Sequence, residues 1–259
     1  MNIELLYLIS VTIFLLSSIV LCVEQMLIPH QYINFTYLSH KRSNKLQFWR
    51  IFHFILIVLG CLSLFLIWLL GLTVGSKICL VAFVGIMYFL HLHRTIGKDG
   101  ADLLRMVIAF IMVLCLLVED SIGKQLFLAF TGFQILLGYT TSGTLKLLSP
   151  YWRKGDVLAP ILSTYSFGHP TFSKWLYANP RIEFFFCYMS IVSMLSVIVC
   201  FIFPHQMPII IALSIMLSFH LTVTFLMGLN DFLWVFPACY PGVLYLHFMY
   251  SSFIIPLLQ

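Results

Sequence analysis

The sequence has few charged residues. Asp, Glu, Lys and Arg make up 9% of its 259 residues, whereas hydrophobic residues make up 61%. A soluble domain carries about 25% charged residues, because it must cover its surface with groups that water solvates. This composition excludes a water-soluble domain as the main part of the chain, and the mean hydropathy of +1.04 agrees. We expect an integral membrane protein without a separate soluble domain.

The chain also lacks paired cysteine spacings, internal repeats and low-complexity tracts. Its seven cysteines lie in or beside apolar runs and show no zinc-site spacing, so we expect packing residues rather than a disulfide framework. Histidines are scattered, and no Glu-x-x-His pair typical of a metal-binding bundle occurs. No metal is therefore expected, and the absence of repeats disfavours a transporter.

The apolar runs are long and continuous, which favours helices over the alternating strands of a membrane β-barrel. The predicted fold is an all-α polytopic transmembrane helical bundle of about eight spans, within a range of 7–9. The first span is expected to be retained rather than cleaved, because Glu4 stands where a signal peptide has basic residues. Prolines 237, 241 and 256 are expected to kink or break the last span. The predicted spans are 3–23, 51–72, 78–93, 103–118, 125–147, 184–203, 209–228 and 232–256.

Basic residues are distributed unequally between the two sides that these spans define. Of the 14 Lys and Arg residues, most fall in the connections 24–50, 94–102 and 149–182 or beside them, on one side: Lys41, Arg42, Lys45, Arg50, Arg94, Lys98, Arg105, Arg153, Lys154, Lys174 and Arg181. Lys77 and Lys124 fall on the other side. The positive-inside rule then places the three connections in the cytoplasm and the N-terminus outside the cell membrane. The net charge of +5 is explained by topology and lipid contact, so no nucleic-acid partner is expected.

The connection 149–182 is a long amphipathic loop. Short helices are predicted at 157–162 and 172–176, lying in the membrane interface, because aromatic rings suit headgroup depth. These rings are Trp152, Tyr165, Trp175 and Tyr177. For the whole chain, we predict an N-terminal transmembrane pair at 1–72 and a transmembrane core at 78–257.

Polar residues within spans mark candidate sites, because each costs free energy in hydrocarbon. On the fifth span, four small or polar residues recur at every fourth position and therefore share one face of the helix. Tyr139 and Gly143 flank this face. Small residues there allow a ligand or another helix to approach closely. A buried lysine amine can be neutral and act as a base; the alternative is a lysine that snorkels to the interface. The four are Gln134, Gly138, Ser142 and Lys146.

The seventh span carries a second polar face, formed by His220, Thr224, Gly228 and Asp231. A histidine at this depth can donate, accept or carry a proton; the alternative is an interhelical hydrogen bond with a structural role. A third cluster, 93–105, contains Asp99 and Asp102. It is either a shallow hairpin that admits polar groups into the membrane or an ordinary solvated loop.

Three stretches, in this order, resemble the horizontally transferred transmembrane (HTTM) domain, the membrane core of vitamin K-dependent gamma-carboxylases. The first runs from Lys98 to Leu104. The second runs from Tyr139 through Gly143 and Lys146 to Trp152 and Gly155, and the third comprises Phe219, His220, Gly228 and Phe232. The resemblance spans about residues 90–250. In size the chain resembles the short bacterial members, which include the membrane component that matures a sporulation-delaying toxin.

The resemblance implies a membrane pocket in which Lys146 is the base that deprotonates a reduced, vitamin K-like quinone. O2 and CO2 would be co-substrates if the reaction is carboxylase-like. It further implies His220 as an orienting or proton-carrying partner. Binding residues would be Gln134, Tyr139, Ser142, Gly143, Asp99, Asp102, Trp152 and Asp231.

Two functions remain open from the sequence. One is an enzyme or enzyme subunit that acts on a quinol-like lipid or a toxin peptide, with membrane lipids and partner maturation proteins around it. The other is a non-catalytic assembly or immunity factor for a secreted peptide, in which the polar faces serve only helix packing.

Overall fold

The computed structural model of the protein describes residues 2–27, 45–94, 99–164 and 168–258. Within these ranges the chain is α-helical and contains no strand, which confirms the predicted all-α fold. Lys41, Arg42, Lys98 and Tyr165 lie outside the described residues.

The helices follow one another with short connections. In chain order they are α1 (Ile3–Leu27), α2 (Lys45–Leu70), α3 (Val74–His93), α4 (Gly100–Cys115), α5 (Asp120–Leu148), α6 (Pro150–Lys154), α7 (Leu158–Leu162), α8 (Pro170–Ala178), α9 (Pro180–Ile202), α10 (Gln206–Met227), α11 (Asn230–Val235), a 3-10 turn (Pro237–Cys239) and α12 (Tyr240–Leu258).

Six segments of the described chain are long and apolar enough to cross a membrane: α1, α2 from Phe48, α3, α9, α10 and the stretch Asn230–Pro256. The predicted count of eight is therefore wrong by this measure. The predicted span 103–118 corresponds to α4, which has 16 residues and a length of about 24 Å, short of the roughly 30 Å hydrocarbon core. The predicted span 125–147 corresponds to α5, a continuous helix of 29 residues. Its apolar sequence contains polar residues at several positions.

The chain forms two compact units. The first comprises 2–128 and 234–238, and the second comprises 129–233 and 239–259. In the first unit α2 packs against both α1 and α3, and α3 packs against α4. Two ion pairs join helix starts: Lys77 to Asp120 at 2.6 Å, and Lys124 to Glu4 at 2.5 Å. The starts of α1, α3 and α5 therefore lie at one end of this unit, and these are the groups that the charge pattern places outside.

In the second unit α9 packs against α10, and α10 packs against α12. The amphipathic loop folds onto the start of α9. It forms the predicted short helices as α7 and α8, preceded by α6, and its apolar residues Ala159, Leu162 and Leu176 are buried together. Glu183 of α9 holds α7 by accepting the backbone N–H of Ala159 at 2.8 Å.

The last predicted span is broken at the first of its three prolines, whereas Pro241 and Pro256 lie within α12. The helical path is interrupted by the 3-10 turn that begins at Pro237. The preceding helix α10 ends at Met227, because Gly228 takes the left-handed conformation with φ 69°. Asp231 therefore belongs to α11, and the expectation that it continues the His220 face of the same helix is wrong.

Candidate functional site

The amine of Lys146 lies in a cluster of polar and aromatic side chains in the second unit. Its Nζ donates to Ser190 Oγ at 2.8 Å and contacts Met194 Sδ at 3.5 Å, both on α9. The same nitrogen lies 4.5 Å from the ring centroid of Trp152 and 5.5 Å from that of Phe219. Rings at these distances stabilise an ammonium through their negative faces. The lysine is therefore held by specific partners on three other helices, α6, α9 and α10.

A second polar group lies on α5, α10 and α12. Tyr139 and His220 are buried, and the Tyr139 hydroxyl forms hydrogen bonds with His220 Nε2 at 2.8 Å and with the Tyr240 hydroxyl at 3.1 Å. The Tyr139 and His220 rings stack with centroids 5.9 Å apart. A phenol and an imidazole can each donate or accept, so this chain of hydrogen bonds is able to pass a proton.

Phe219 lies between the two groups. Its ring contacts the Lys146 amine and lies 5.6 Å, centroid to centroid, from the His220 ring. The second and third stretches that carry the HTTM resemblance therefore meet in one place: Tyr139, Lys146 and Trp152 from the second, and Phe219 and His220 from the third. We call these five residues, with Ser190, Met194 and Tyr240, the lysine cluster.

The small residues of α5 have different surroundings. A Cβ atom at Gly143 would lie 2.9 Å from Leu195 and 3.1 Å from Met194 Cβ, so this glycine allows α9 to approach α5. A Cβ atom at Gly138 would have no neighbour within 4 Å. Gln134 and Ser142 lie half-buried on the same face as Gly138. Gly138 thus has open space beside it, while Gly143 is a packing position.

The two aspartates of the first stretch lie in the first unit. Asp99 caps α4, where its Oδ1 accepts the backbone N–H groups of Ala101 at 2.9 Å and Asp102 at 3.0 Å. Asp102 is buried and forms ion pairs with Arg94 and with Arg105, the latter at 3.1 Å. Among the described residues of this cluster, the charged side chains of Arg94, Asp102 and Arg105 are therefore buried rather than solvated.

Four further polar residues, Thr224, His53, His93 and His247, have structural contacts. Thr224 Oγ1 donates to the carbonyl of Leu229 at 3.2 Å and so closes the end of α10. His53 and His93 donate from Nδ1 to carbonyls one turn earlier, Trp49 at 2.7 Å and Phe89 at 2.8 Å, and His247 donates to the carbonyl of Phe203 at 2.8 Å.

Sequence reasoning missed Ser190, Met194 and Tyr240 as members of the lysine cluster. Ser190 and Met194 are spaced by four on α9 and so share a face, which is a detectable signal. Tyr240 begins α12 directly after the 3-10 turn, and its pairing with Tyr139 depends on how α12 packs. Comparison of the chain with protein-family models, with curated proteins and with solved structures finds no match.

Proposed function

We propose that the protein is an HTTM-like integral membrane enzyme, or enzyme subunit, in which Lys146 acts as a base on a quinol-like lipid. The observation that carries this proposal is the position of the Lys146 amine: hydrogen-bonded to Ser190 and facing two aromatic rings, on a helix that also contributes Tyr139 to a buried chain of hydrogen bonds. A lysine with only a snorkelling role would instead extend toward the interface.

The chemistry of the cluster fits a quinol. Trp152 and Phe219 present flat apolar surfaces, Met194 adds a polarizable sulfur, and Lys146 and Ser190 supply the polar atoms that a ring hydroxyl requires. This combination of apolar walls and few polar groups is typical of small-molecule sites. The open space beside Gly138 adjoins the half-buried Gln134 and Ser142 on the same helix.

The residues would act as follows. Neutral Lys146 takes a proton, and the rings of Trp152 and Phe219 stabilise the ammonium that results. Ser190 fixes the amine in place, and Tyr139, His220 and Tyr240 form a path along which a proton is carried. A bound quinol would supply electrons for reaction with O2. The resemblance makes a newly made peptide the expected second substrate, with CO2 in a carboxylase-like reaction and with partner maturation proteins nearby.

We further propose that the protein lies in the cell membrane with its N-terminus outside and its basic connections 24–50, 94–102 and 149–182 in the cytoplasm. The ion pairs that gather Glu4, Lys77, Asp120 and Lys124 at one end of the first unit support this arrangement. Of these four residues, Lys77 and Lys124 are the ones that the charge pattern assigns to the outer side.

The test is Lys146→Met, which removes the amine and keeps the length of the side chain. Purified protein in detergent is given a reduced vitamin K-type quinone and oxygen, and quinol consumption is followed by absorbance. We expect the wild type to consume quinol and Lys146→Met to lose at least about a hundredfold in rate, which is the lower end of what a positioned base contributes. The thermal unfolding midpoint should stay close to that of the wild type.

The matched control is Lys154→Met, because Lys154 is an exposed lysine on α6 of the same loop. It should consume quinol at the wild-type rate. Equal rates in Lys146→Met and the wild type would rule out the base. A large drop in the unfolding midpoint of Lys146→Met without loss of activity would favour the packing role that the non-catalytic alternative requires.

A further inference from the structure

The end of the amphipathic loop lies where a membrane-spanning helix begins. Helix α8 ends at Ala178, and α9 begins at Pro180 and is long and apolar enough to cross a membrane. Arg181 is in the first turn of α9. The residues of α8 and the start of α9 are therefore close to the depth at which α9 enters the bilayer, which is the depth of the lipid headgroups.

Helix α8 has one buried face and one exposed face. Ser173 and Leu176 are buried, whereas Lys174 is exposed and the rings of Trp175 and Tyr177 are 43% and 58% exposed. The Trp175 indole N–H and the Tyr177 hydroxyl form no hydrogen bond with another described residue. A ring that has an apolar body and an uncommitted polar tip suits the boundary between hydrocarbon and headgroups.

The exposed cations of this region are not neutralised by acidic residues. They include Arg153, Lys174 and Arg181, and no ion pair or side-chain hydrogen bond joins these three to another residue in the described part of the chain. Asp156 is the one acidic residue of the amphipathic loop. Glu183, in the first turn of α9, is buried. The exposed surface therefore carries an excess of positive charge.

Helix α6 adds its cation to the same region because it packs on the start of α9. Gly155 ends α6 in the left-handed conformation with φ 76°, and a Cβ atom there would lie 2.5 Å from Phe184 Cα. The Trp152 ring faces the Lys146 amine, whereas the next residue, Arg153, is exposed. Helix α6 is therefore held through Trp152 on its inner side and presents Arg153 outward.

Exposed cations and amphipathic rings at this depth are complementary to a negatively charged lipid headgroup. Each lysine or arginine near an anionic bilayer surface strengthens association about fivefold. We propose that Arg153, Lys174 and Arg181, with Trp175 and Tyr177, form a binding surface for the headgroups of anionic phospholipids, which we call the basic surface. The proposal concerns the amphipathic loop and the start of α9, and it rests neither on a reaction at the lysine cluster nor on the assigned topology.

The test measures which lipid lies beside Trp175 in a bilayer. The full chain is reconstituted in equal parts of phosphatidylglycerol, which is anionic, and phosphatidylcholine, which is zwitterionic. One lipid or the other is brominated near the headgroup end of its acyl chains, since bromine quenches tryptophan fluorescence on contact. The contribution of Trp175 is the difference between the wild type and Trp175→Phe. We expect brominated phosphatidylglycerol to quench Trp175 at least about twofold more than brominated phosphatidylcholine.

Charge variants make this test specific. The double variant Lys174→Gln with Arg181→Gln should lose most of the preference for phosphatidylglycerol. Asp156→Asn removes the exposed carboxylate of the loop and should increase the preference. Raising the salt concentration from about 0.1 M to about 1 M should weaken it, because exposed charges are screened. All three substituted residues are exposed, so the unfolding midpoints should equal that of the wild type.

Two controls come from the first unit. Lys77→Gln removes a lysine that an ion pair already neutralises, and it should keep the preference at Trp175. Trp68 is 56% exposed on α2, and both brominated lipids should quench it equally, as measured against Trp68→Phe. Equal quenching of Trp175 by the two lipids, or an unchanged preference in the double variant, would overturn the proposal. Equal quenching together with tight binding of an acidic peptide would assign the surface to a peptide partner and would overturn it as well.

Discussion

Both Gly132 and Gly138 lie on α5, but only one of them contacts another helix. A Cβ atom at Gly132 would collide with the backbone carbonyl of Gly242 and lie 2.8 Å from the Val243 nitrogen on α12, whereas a Cβ atom at Gly138 would meet nothing within 4 Å. We therefore expect Gly132→Ala to destabilise the protein by about 1–3 kcal/mol through overpacking. Gly138→Ala should be neutral or stabilise by up to about 1 kcal/mol through helix propensity. Thermal unfolding in detergent measures both, and equal midpoints would contradict the close approach of α5 and α12.

The hydroxyl of Tyr139 is the centre of the buried chain of hydrogen bonds in the lysine cluster. Tyr139→Phe keeps the ring and removes both hydrogen bonds, to His220 and to Tyr240. We expect a loss of about 1–3 kcal/mol in the free energy of unfolding, because buried polar groups lose a partner. Tyr151→Phe is the control, since Tyr151 is 67% exposed, and its stability should equal that of the wild type. If Tyr139→Phe unfolds like this control, the hydrogen bonds do not contribute to stability.

At the scale of single residues, the sequence predicted which residues share a helix face better than it predicted their contacts on other helices. Periodicity along α5 singled out Lys146, with Tyr139 flanking the same face, because spacing by three or four residues reports a shared face of one helix. Ser190, Phe219 and Tyr240 reach these residues from α9, α10 and α12. Such contacts depend on the rotation and depth of packed helices, which no pattern within a single helix records.

At the scale of helices, α7 and α8 depend on the contacts that hold the amphipathic loop onto α9. Ser173 is buried on α8, and its hydroxyl donates to the carbonyl of Ala159 on α7 at 2.8 Å. We expect Ser173→Ala to weaken the packing of α7 against α8 by about 1 kcal/mol, which is the net contribution of a typical hydrogen bond to stability. Amide hydrogen exchange across 158–178 should become several-fold faster while exchange in α9 and α10 stays unchanged.

Ser163→Ala is the matched control for that change. The Ser163 hydroxyl is exposed and donates only within its own turn, to the carbonyl of Pro160 at 2.7 Å. Its removal should leave exchange across 158–178 as in the wild type. Equal acceleration in both variants would mean that the bond between α7 and α8 does not hold the loop.

Helix boundaries show which elements a sequence can predict. The sequence predicted the short helices of the loop and the break at Pro237, because proline and aromatic residues affect the chain at their own positions. Proline interrupts a helix, and aromatic rings favour the membrane interface. The end of α10 lies within one residue of the predicted end at 228, but Asp231 was wrongly assigned to the His220 face, because Gly228 ends that helix and a new helix begins at Asn230. The count of spans failed for α4 and α5, where length and polarity are near the limit for crossing.

For the whole molecule, the orientation in the membrane is open to a direct test. Gly75 is exposed near the start of α3, and a Cβ atom there has only Thr73 Oγ1 near it, at 3.8 Å. Arg153 is exposed on α6. We expect a membrane-impermeant maleimide to label Gly75→Cys in intact cells and to label Arg153→Cys only after the membrane is opened. The unaltered chain measures labelling of the native cysteines, and the reverse pattern of labelling would invert the assigned topology.

One hydrogen bond sets a time at which the first unit can be completed. Ser10 on α1 donates to the carbonyl of Ala238, which lies 228 positions later in the chain. At a synthesis rate of about 5–20 residues per second, the acceptor is made about 11–46 s after the donor. Until then the Ser10 hydroxyl lacks this acceptor, whereas Ser17 and Ser18 can already donate to the carbonyl of Phe14 within the same helix. The segment 234–238 can therefore complete its contact with α1 only after the whole of 2–128 has been synthesised.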